Sequence, residues 1–207
     1  MNTALLIFTK AAEPGLSKTR LIPALGAVQA AAAHETLSQR VFRAVAESPL
    51  SIVLWGASAH PTLARWAEEF GWPLRRQRGD DLGQRMFHAL ASALADGADR
   101  AILIGTDCPL MSAAYVAQAE AALDTADMVV GPAEDGGYVL IGLKRAEPAL
   151  FRDIDWGTDQ VLEQTLRAAS QAQCSIATLA TLWDVDRPED WQRLLALDAC
   201  KQEVSKS

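Results

Sequence analysis

Cysteine is scarce in this sequence. Cys108, Cys174 and Cys200 are the three cysteines among 207 residues, and no two of them have the Cys-x-x-Cys spacing that is typical of zinc and redox sites. An odd number of widely separated thiols argues against a disulfide framework and fits a reducing compartment. We therefore expect a cytoplasmic protein that is stabilised by one substantial hydrophobic core.

Long hydrophobic runs and an excess of positive charge are also missing. The first apolar run, residues 4–8, follows no basic segment and is too short for a signal peptide. No stretch approaches the ~18 apolar residues that a membrane span requires. The net charge is −7, whereas a nucleic-acid binder needs a basic face. The predicted partners are small-molecule substrates rather than a membrane or nucleic acid, and a homo-oligomer is left open.

Two common nucleotide-binding motifs are absent. The first apolar run is followed by neither a G-x-G-x-x-G fingerprint nor a Walker A loop, which argues against a Rossmann-type dehydrogenase and a P-loop NTPase. The loop contains Pro14-Gly15 and then Lys18-Thr19-Arg20. Such a segment is often a solvated turn, but its cations could also bind phosphate oxygens, and Gly15 would let the backbone approach them.

Short apolar runs alternate with longer segments of helical periodicity. This pattern predicts strands at residues 4–8, 51–55, 101–104, 128–130, 138–143 and 175–179, and helices at residues 28–47, 61–70, 82–94, 113–123, 159–169 and 188–197. Alternating strands and helices predict a three-layer α/β/α sandwich with a mainly parallel sheet. We expect one domain over residues 1–200 and a polar tail over residues 201–207.

Charged residues follow several of these strands, where ligands bind in open α/β sheets. The first loop supplies Lys10, Lys18 and Arg20, and later loops supply acidic residues and glycines, namely Asp107, Asp135, Gly136, Gly137, Asp184 and Asp186. Lys and Arg neutralise phosphate oxygens, and one or two carboxylates can hold a Mg²⁺ that keeps several waters. Together they predict a site for a nucleotide polyphosphate and a divalent metal.

Each of these residues also has a simpler explanation. Asp107 could cap a helix or turn, Asp184 and Asp186 could cap the last helix, and Asp135-Gly136-Gly137 is a common turn signal. The histidines, His34, His60 and His88, have no partner pattern and are predicted to be structural or exposed. Cys108 has no neighbouring base that would make it a nucleophile. Trp156, which precedes Gly-Thr at a helix start, could line an acceptor site or simply pack.

Six motifs occur in a fixed order along almost the whole chain: FTKAAEPGLSKTRL (8–21), GDDLGQRM (79–86), GTDCP (105–109), GPAEDGGYVLIGL (131–143), WGTDQVL (156–162) and DVDRPEDW (184–191). Together they resemble the radical-SAM/selenodomain-associated transferase family, which is glycosyltransferase-like. That family is similar to nucleotide-diphospho-sugar transferases of the GT-A type. It also resembles 2-phospho-lactate and molybdenum cofactor guanylyltransferases. The resemblance implies a GT-A fold.

The resemblance also implies roles for individual residues. The first loop would surround the nucleotide phosphates, and the start of the third helix would lie near the base; the residues concerned are Gly15, Lys18, Thr19, Arg20, Gly83 and Arg85. A divalent metal, Mg²⁺ or Mn²⁺, would be held by Asp107 and Asp186. The acceptor would lie towards Asp135, Gly136 and Gly137, and our hypothesis adds Tyr138 and Trp156 to this acceptor site.

The sequence departs from relatives of both kinds. Its first loop is not the glycine-rich LAAGxGxRM of sugar nucleotidyltransferases, and the GT-A Asp-x-Asp signature is absent because Asp107 is followed by Cys108-Pro109. The leading hypothesis is metal-assisted transfer of a nucleotidyl group from a nucleoside triphosphate to a small phosphorylated or hydroxyl acceptor, with Lys18, Arg20 and Asp107 as catalytic residues. The alternatives are a glycosyltransferase that uses a nucleotide-sugar and a non-catalytic nucleotide-binding protein.

Overall fold

The computed structural model describes residues 2–204, with side chains up to Cys200. A seven-stranded sheet has the order β3-β2-β1-β4-β6-β5-β7. The strands are β1 (Thr3–Thr9), β2 (Ser51–Gly56), β3 (Leu74–Arg76), β4 (Arg100–Ile104), β5 (Met128–Pro132), β6 (Tyr138–Leu143) and β7 (Ile176–Thr178). All neighbouring strands are parallel except at β6, which runs antiparallel to both β4 and β5.

Helices cover both faces of the sheet. They are α1 (Ile22–Leu25), α2 (Ala27–Val45), α3 (Pro61–Phe70), α4 (Leu82–Ala95), α5 (Ala113–Ala122), α6 (Val161–Gln171) and α7 (Pro188–Val204), with 3-10 helices at Thr19–Leu21 and Pro148–Phe151. The single-domain α/β prediction is confirmed. None of the helices in residues 2–204 is long and apolar enough to cross a membrane.

The central strand β1 shows why the core has two layers. All seven of its residues are buried, because helices pack on both faces of a mainly parallel sheet. Leu5 and Ile7 join the core under α2, α3 and α5, whereas Leu6 and Phe8 join the core under α4 and α6. Each such side chain contributes roughly 1.5–3 kcal/mol through removal from water.

Short polar signals set the starts of several helices. The side chain of Asp81 accepts a hydrogen bond from the Gln84 N–H at the start of α4, and the Ser112 side chain accepts one from the Tyr115 N–H at the start of α5. These caps satisfy backbone N–H groups that have no partner inside the helix. They fix the residues at which α4 and α5 begin.

The antiparallel strand β6 determines what gathers at one edge. The parallel strands β1, β4 and β5 end at this edge, and β6 begins there, since Ile104 pairs with Leu140 and Ala101 pairs with Leu143. The loops after β1, β4 and β5 therefore meet the first residue of β6, Tyr138. This is the edge at which the sequence predicted a ligand site.

Candidate active site

Two adjoining cavities open at this edge of the sheet. The first has a volume of 330 Å³ and is lined largely by strand ends, including Phe8, Thr9, Leu103 and Leu140. The second has a volume of 710 Å³ and is lined by loops from residues 134–138, 156–161 and 183–190. Five residues line both: Leu82, Met86, Asp107, Tyr138 and Asp184. The cavities therefore form one cleft, and two carboxylates lie where they join.

Asp107 follows β4 and faces both cavities. Its Oδ1 atom is buried and lies 2.7 Å from Nζ of Lys18, while 46% of the side chain is exposed. The exposed part is therefore the rest of the carboxymethyl group, including Oδ2. Burial is the largest single effect and opposes ionisation of this carboxyl, but the neighbouring charges, Lys18 first, and the Lys18 hydrogen bond together outweigh it and hold the pKa of Asp107 below its usual range. Asp107 is thus a charged carboxylate with one oxygen exposed to the cavities.

Lys18 is a buried cation. Its side chain is only 3% exposed, and besides Asp107 it donates a hydrogen bond to the backbone oxygen of Val185. The backbone of Lys18 is left-handed, with φ of 48°, which costs roughly 1–2 kcal/mol for a residue with a side chain. Lys18 therefore joins Asp107 to the segment before α7, and it lines neither cavity.

A second ion pair links the first loop to the same segment. Arg20, in the 3-10 helix after Lys18, pairs with Asp186, and both side chains are largely exposed. Arg20 and Asp186 line the second cavity together with Asp107. The sequence prediction that cations of the first loop meet carboxylates of distant loops agrees with this geometry.

Asp184 lies at the junction of the cavities; the sequence offered it as a candidate, but the predicted metal ligand was Asp186. Burial and the neighbouring negative charges of Asp107 and Asp135 raise its pKa to about 7. The D-V-D sequence before α7 offered two candidates, and the resemblance implied Asp186. In the structure, Asp186 has Arg20 as its partner, while Asp184 lines both cavities.

His34 is a second residue that sequence reasoning missed. It lies on α2, lines the first cavity and is 2% exposed. Its Nε2 atom is 3.0 Å from the Lys10 backbone oxygen, and its Nδ1 atom is 3.8 Å from Oδ1 of Asp107. Burial lowers the pKa of His34, so the imidazole is neutral at pH 7. No motif surrounds His34 in the sequence, and only the fold brings it to Asp107.

The turn at residues 135–137 is fixed against the segment before α6. Oδ1 of Asp135 accepts a hydrogen bond of 2.9 Å from the Gly137 N–H. Gly136 has φ of +87°, and a Cβ atom there would lie 2.1 Å from the Asp159 backbone oxygen. Only glycine fits this position. The turn thereby presents Asp135 and Gly137 to the second cavity.

Tyr138 and Trp156 form an aromatic wall of the second cavity. Their rings meet edge to face, with centroids 6.5 Å apart and an interplanar angle of 85°. Gly83 at the start of α4 makes room for this wall, since a Cβ atom there would lie 2.6 Å from the Trp156 ring. Gly83 is therefore covered by Trp156, and its packing explains why glycine is needed there.

Three other predicted nucleotide-binding residues lie outside both cavities. Gly15 has φ of +85°, with open space where a Cβ atom would be. Thr19 is exposed. Arg85 donates a hydrogen bond of 3.0 Å to the Gly79 backbone oxygen. Their proposed contacts with a nucleotide stay predictions.

The carboxylates at the cavity junction fit a hard divalent cation. Within residues 2–204, no group of three or more His, Cys, Asp and Glu side chains forms a complete metal site. Mg²⁺ does not need one, since it is commonly held by one or two carboxylates together with waters and substrate phosphates. Asp107 has a free oxygen, and the charge repulsion that raises the pKa of Asp184 would be relieved by a cation between them.

Structural comparison defines the class. The chain has the GT-A type of α/β fold found in nucleotide-diphospho-sugar transferases. Residues 31–158 match the model of DUF2064, described as an uncharacterized protein conserved in bacteria, and the chain belongs to this family. A search of curated proteins found no match. The radical-SAM association implied by the resemblance stays a prediction.

Three solved structures illustrate the fold. A protein from Desulfovibrio desulfuricans G20, assigned as a nucleotide-diphospho-sugar transferase, has a TM-score of 0.84 at 32% identity, with 90% of this chain and 84% of that chain covered. CMP:2-keto-3-deoxy-manno-octonic acid synthetase complexed with CTP has a TM-score of 0.62 at 14% identity, covering 97% and 100%. Glucosyl-3-phosphoglycerate synthase from Mycobacterium tuberculosis, in complex with Mn²⁺ and UDP, has a TM-score of 0.57 at 10% identity, covering 92% and 74%.

Proposed function

We propose that this protein is a metal-dependent transferase that moves a nucleotidyl group from a nucleoside triphosphate to a small acceptor. The observation that carries the proposal is the position of Asp107 and Asp184, which line both cavities. A group that passes from a donor in one cavity to an acceptor in the other must cross this junction. Carboxylates at the junction can hold the metal next to the phosphate that is transferred from the donor to the acceptor.

The first cavity suits the nucleoside of the donor. Its volume of 330 Å³ lies at the lower end of the range for small-molecule sites. Its walls combine apolar groups, such as Phe8 and Leu140, with a few polar groups, such as Gln77 and Thr9. Apolar walls accommodate the base, and a few fixed polar groups orient it. The donor phosphates would then extend towards the junction.

The charged groups at the junction have different tasks. Asp107 and Asp184 would hold Mg²⁺ or Mn²⁺, and the metal would supply neutralisation of the negative charge on the phosphate oxygens. Lys18 keeps Asp107 ionised and oriented through its 2.7 Å contact. Arg20 is exposed at the cavity and can bind a phosphate after releasing Asp186. Catalysis would therefore rest on positioning and charge stabilisation.

The chemical step is an in-line displacement. A hydroxyl oxygen of the acceptor attacks the α-phosphorus, a new P–O bond forms, and the P–O bond to pyrophosphate breaks. The hydroxyl proton passes to the carboxylate of Asp135, which lines the second cavity, and then to solvent. The products are the nucleotidylated acceptor and pyrophosphate.

A glycosyl transfer from a nucleotide-sugar is the second candidate. It is favoured by the D. desulfuricans protein, which was assigned as a nucleotide-diphospho-sugar transferase and is 32% identical over 90% of this chain. In that reaction the acceptor hydroxyl attacks the anomeric carbon, and a nucleoside diphosphate leaves.

The products released distinguish these reactions. The protein is incubated with Mg²⁺ or Mn²⁺, a panel of hydroxyl acceptors and, in separate reactions, each labelled nucleoside triphosphate or nucleotide-sugar. Pyrophosphate release with transfer of label supports nucleotidyl transfer, and nucleoside diphosphate release supports glycosyl transfer. Binding of a nucleotide with metal but without any product would instead identify a non-catalytic nucleotide-binding protein.

A further inference from the structure

Two segments with carboxylates and aromatic rings line the second cavity. We call this part of the cavity the acceptor end; it is formed by the segments 134–138 and 156–159, and Asp135, Tyr138, Trp156, Thr158 and Asp159 are among its lining residues. Neither segment contains a Lys or Arg. The acceptor end therefore presents carboxylates, aromatic rings and a hydroxyl to its occupant, without a basic side chain.

The arginines that line the second cavity come from other segments. They are Arg20 and Arg187, and both also line a shallow cavity of 310 Å³ with Pro188 and Glu189 at the start of α7. Arg20 is held there by its ion pair with Asp186. The arginines are therefore grouped beside the start of α7, and one of them already has a carboxylate partner.

The geometry of the acceptor end is fixed by close packing. Gly136 contacts Asp159 so closely that a Cβ atom would overlap its backbone oxygen, and the Leu162 N–H donates a hydrogen bond of 2.9 Å to the Gly136 oxygen. Because these contacts join the two segments, Asp135 and Asp159 stay on one cavity. A ligand could move these two carboxylates apart only by breaking the contacts between the segments.

We propose that the acceptor is a hydroxyl compound that carries no negative charge, such as a sugar or polyol, rather than a phosphorylated or carboxylated one. This inference rests on the proposed function and narrows its acceptor. Glu134 is paired with Arg193, but the carboxylates of Asp135 and Asp159 in a concave site repel an anion, and the donor phosphates add further negative charge nearby. Carboxylates accept hydrogen bonds from hydroxyl groups, and the Trp156 and Tyr138 rings offer apolar surface for the carbon skeleton.

The test compares matched pairs that differ only by a phosphate: glucose with glucose 6-phosphate, and glycerol with glycerol 3-phosphate. Binding is measured by saturation-transfer NMR, first with the free protein and then with Mg²⁺ and each nucleoside triphosphate. We expect the uncharged member to bind at least about tenfold more tightly, since two like unit charges about 4 Å apart cost about 1 kcal/mol even in water and a phosphate would meet two carboxylates.

Two variants show whether the acceptor end causes this preference. The double substitution Asp135→Asn and Asp159→Asn should reduce the ratio at least threefold by admitting the phosphorylated member. Asp153 is exposed and lines a separate cavity, so the substitution Asp153→Asn should leave the ratio unchanged.

Three results would overturn the inference. They are tighter binding of the phosphorylated members to the unmodified protein, an unchanged ratio in the double variant, and no binding of either uncharged member. Failure of the proposed function would look different: the binding preference would persist while no nucleoside triphosphate yields pyrophosphate with any acceptor.

Discussion

The two cavities of the cleft are built in different ways. The first is bounded mainly by strand ends, with Phe8, Leu103 and Leu140 anchored in the sheet. The second is bounded by loops and by seven carboxylates, of which only Asp107 and Asp184 also face the first. This difference suggests that the sheet fixes where the donor lies, while the loops determine which acceptor is used.

The junction between the cavities should be the most sensitive point of the site. Asp107→Asn keeps the shape of the side chain but removes the charge that would hold the metal, so we expect turnover to fall at least about 100-fold. The measurement is product release under saturating donor and metal. Asp153→Asn serves as the control, and equal activity of the Asp107 variant and the control would remove the metal role.

The ion pair between Lys18 and Asp107 should stabilise the folded protein. Asp107→Asn leaves Lys18 buried without its partner, which should cost about 3 kcal/mol of unfolding free energy, whereas Lys18→Met leaves an acid that reaches solvent and should cost about 2 kcal/mol. The double variant should lose less unfolding free energy than the sum of the two single-variant losses. Urea unfolding of all four proteins measures this coupling, and strict additivity would show that the pair is not coupled.

Gly136→Ala should disturb the second cavity while sparing the first. The new Cβ atom would overlap the Asp159 backbone oxygen, and φ is +87°, so we expect a loss of about 2–4 kcal/mol in unfolding free energy. Gly157→Ala is the matched control, because φ is +85° with open space around it; it should lose only about 1 kcal/mol.

Nucleotide affinity shows whether the damage is local. The dissociation constant for the donor nucleotide should change less than about twofold in Gly136→Ala, because the turn at residues 135–137 does not line the first cavity. A large loss of donor affinity would mean that the turn at residues 135–137 also supports the first cavity.

The last prediction concerns pH. The pKa of Asp184 rises from 3.8 to about 7 in the folded protein, so between these values the unfolded chain has released a proton that the folded chain retains. Stability therefore falls as pH increases from about 4 to about 7 and changes no further above the folded pKa. Melting temperatures of metal-free protein should show a decline of roughly ten degrees over this window.

The variant Asp184→Asn identifies the group responsible. It has no carboxyl to ionise, so its melting temperature should decline less between pH 4 and pH 7, and its advantage over the unmodified protein should be largest at pH 7 and above. Parallel curves for the two proteins would show that other groups cause the pH dependence.

Periodicity predicted most of the fold. The apolar runs at residues 4–8 and 101–104 correspond to buried strands, and the helix predicted at residues 82–94 is α4. Strand β3, Leu74–Arg76, was not predicted, because all three of its residues are exposed and carry no alternating pattern. Its place in the sheet comes from pairing with β2.

The site was predicted in part for a similar reason. Asp107, Arg20 and Asp135 could be found because each follows a strand, and the end of a parallel strand has a known position at the sheet edge. His34 lies in the middle of a helix. The periodicity of the sequence indicates which face of that helix is buried but not which residues pack against it. Its contact with Asp107 depends on how α2 packs over the sheet, which local sequence does not specify.

The reversed direction of β6 has a consequence for diversification. Since β6 enters the sheet from the edge at which β5 leaves it, the connection between them is a tight turn confined to one side of the cleft. Lengthening or shortening that connection would reshape the second cavity beside Trp156 while the sheet, and the first cavity at its strand ends, kept their geometry. Relatives could therefore exchange one acceptor for another by altering a handful of consecutive residues.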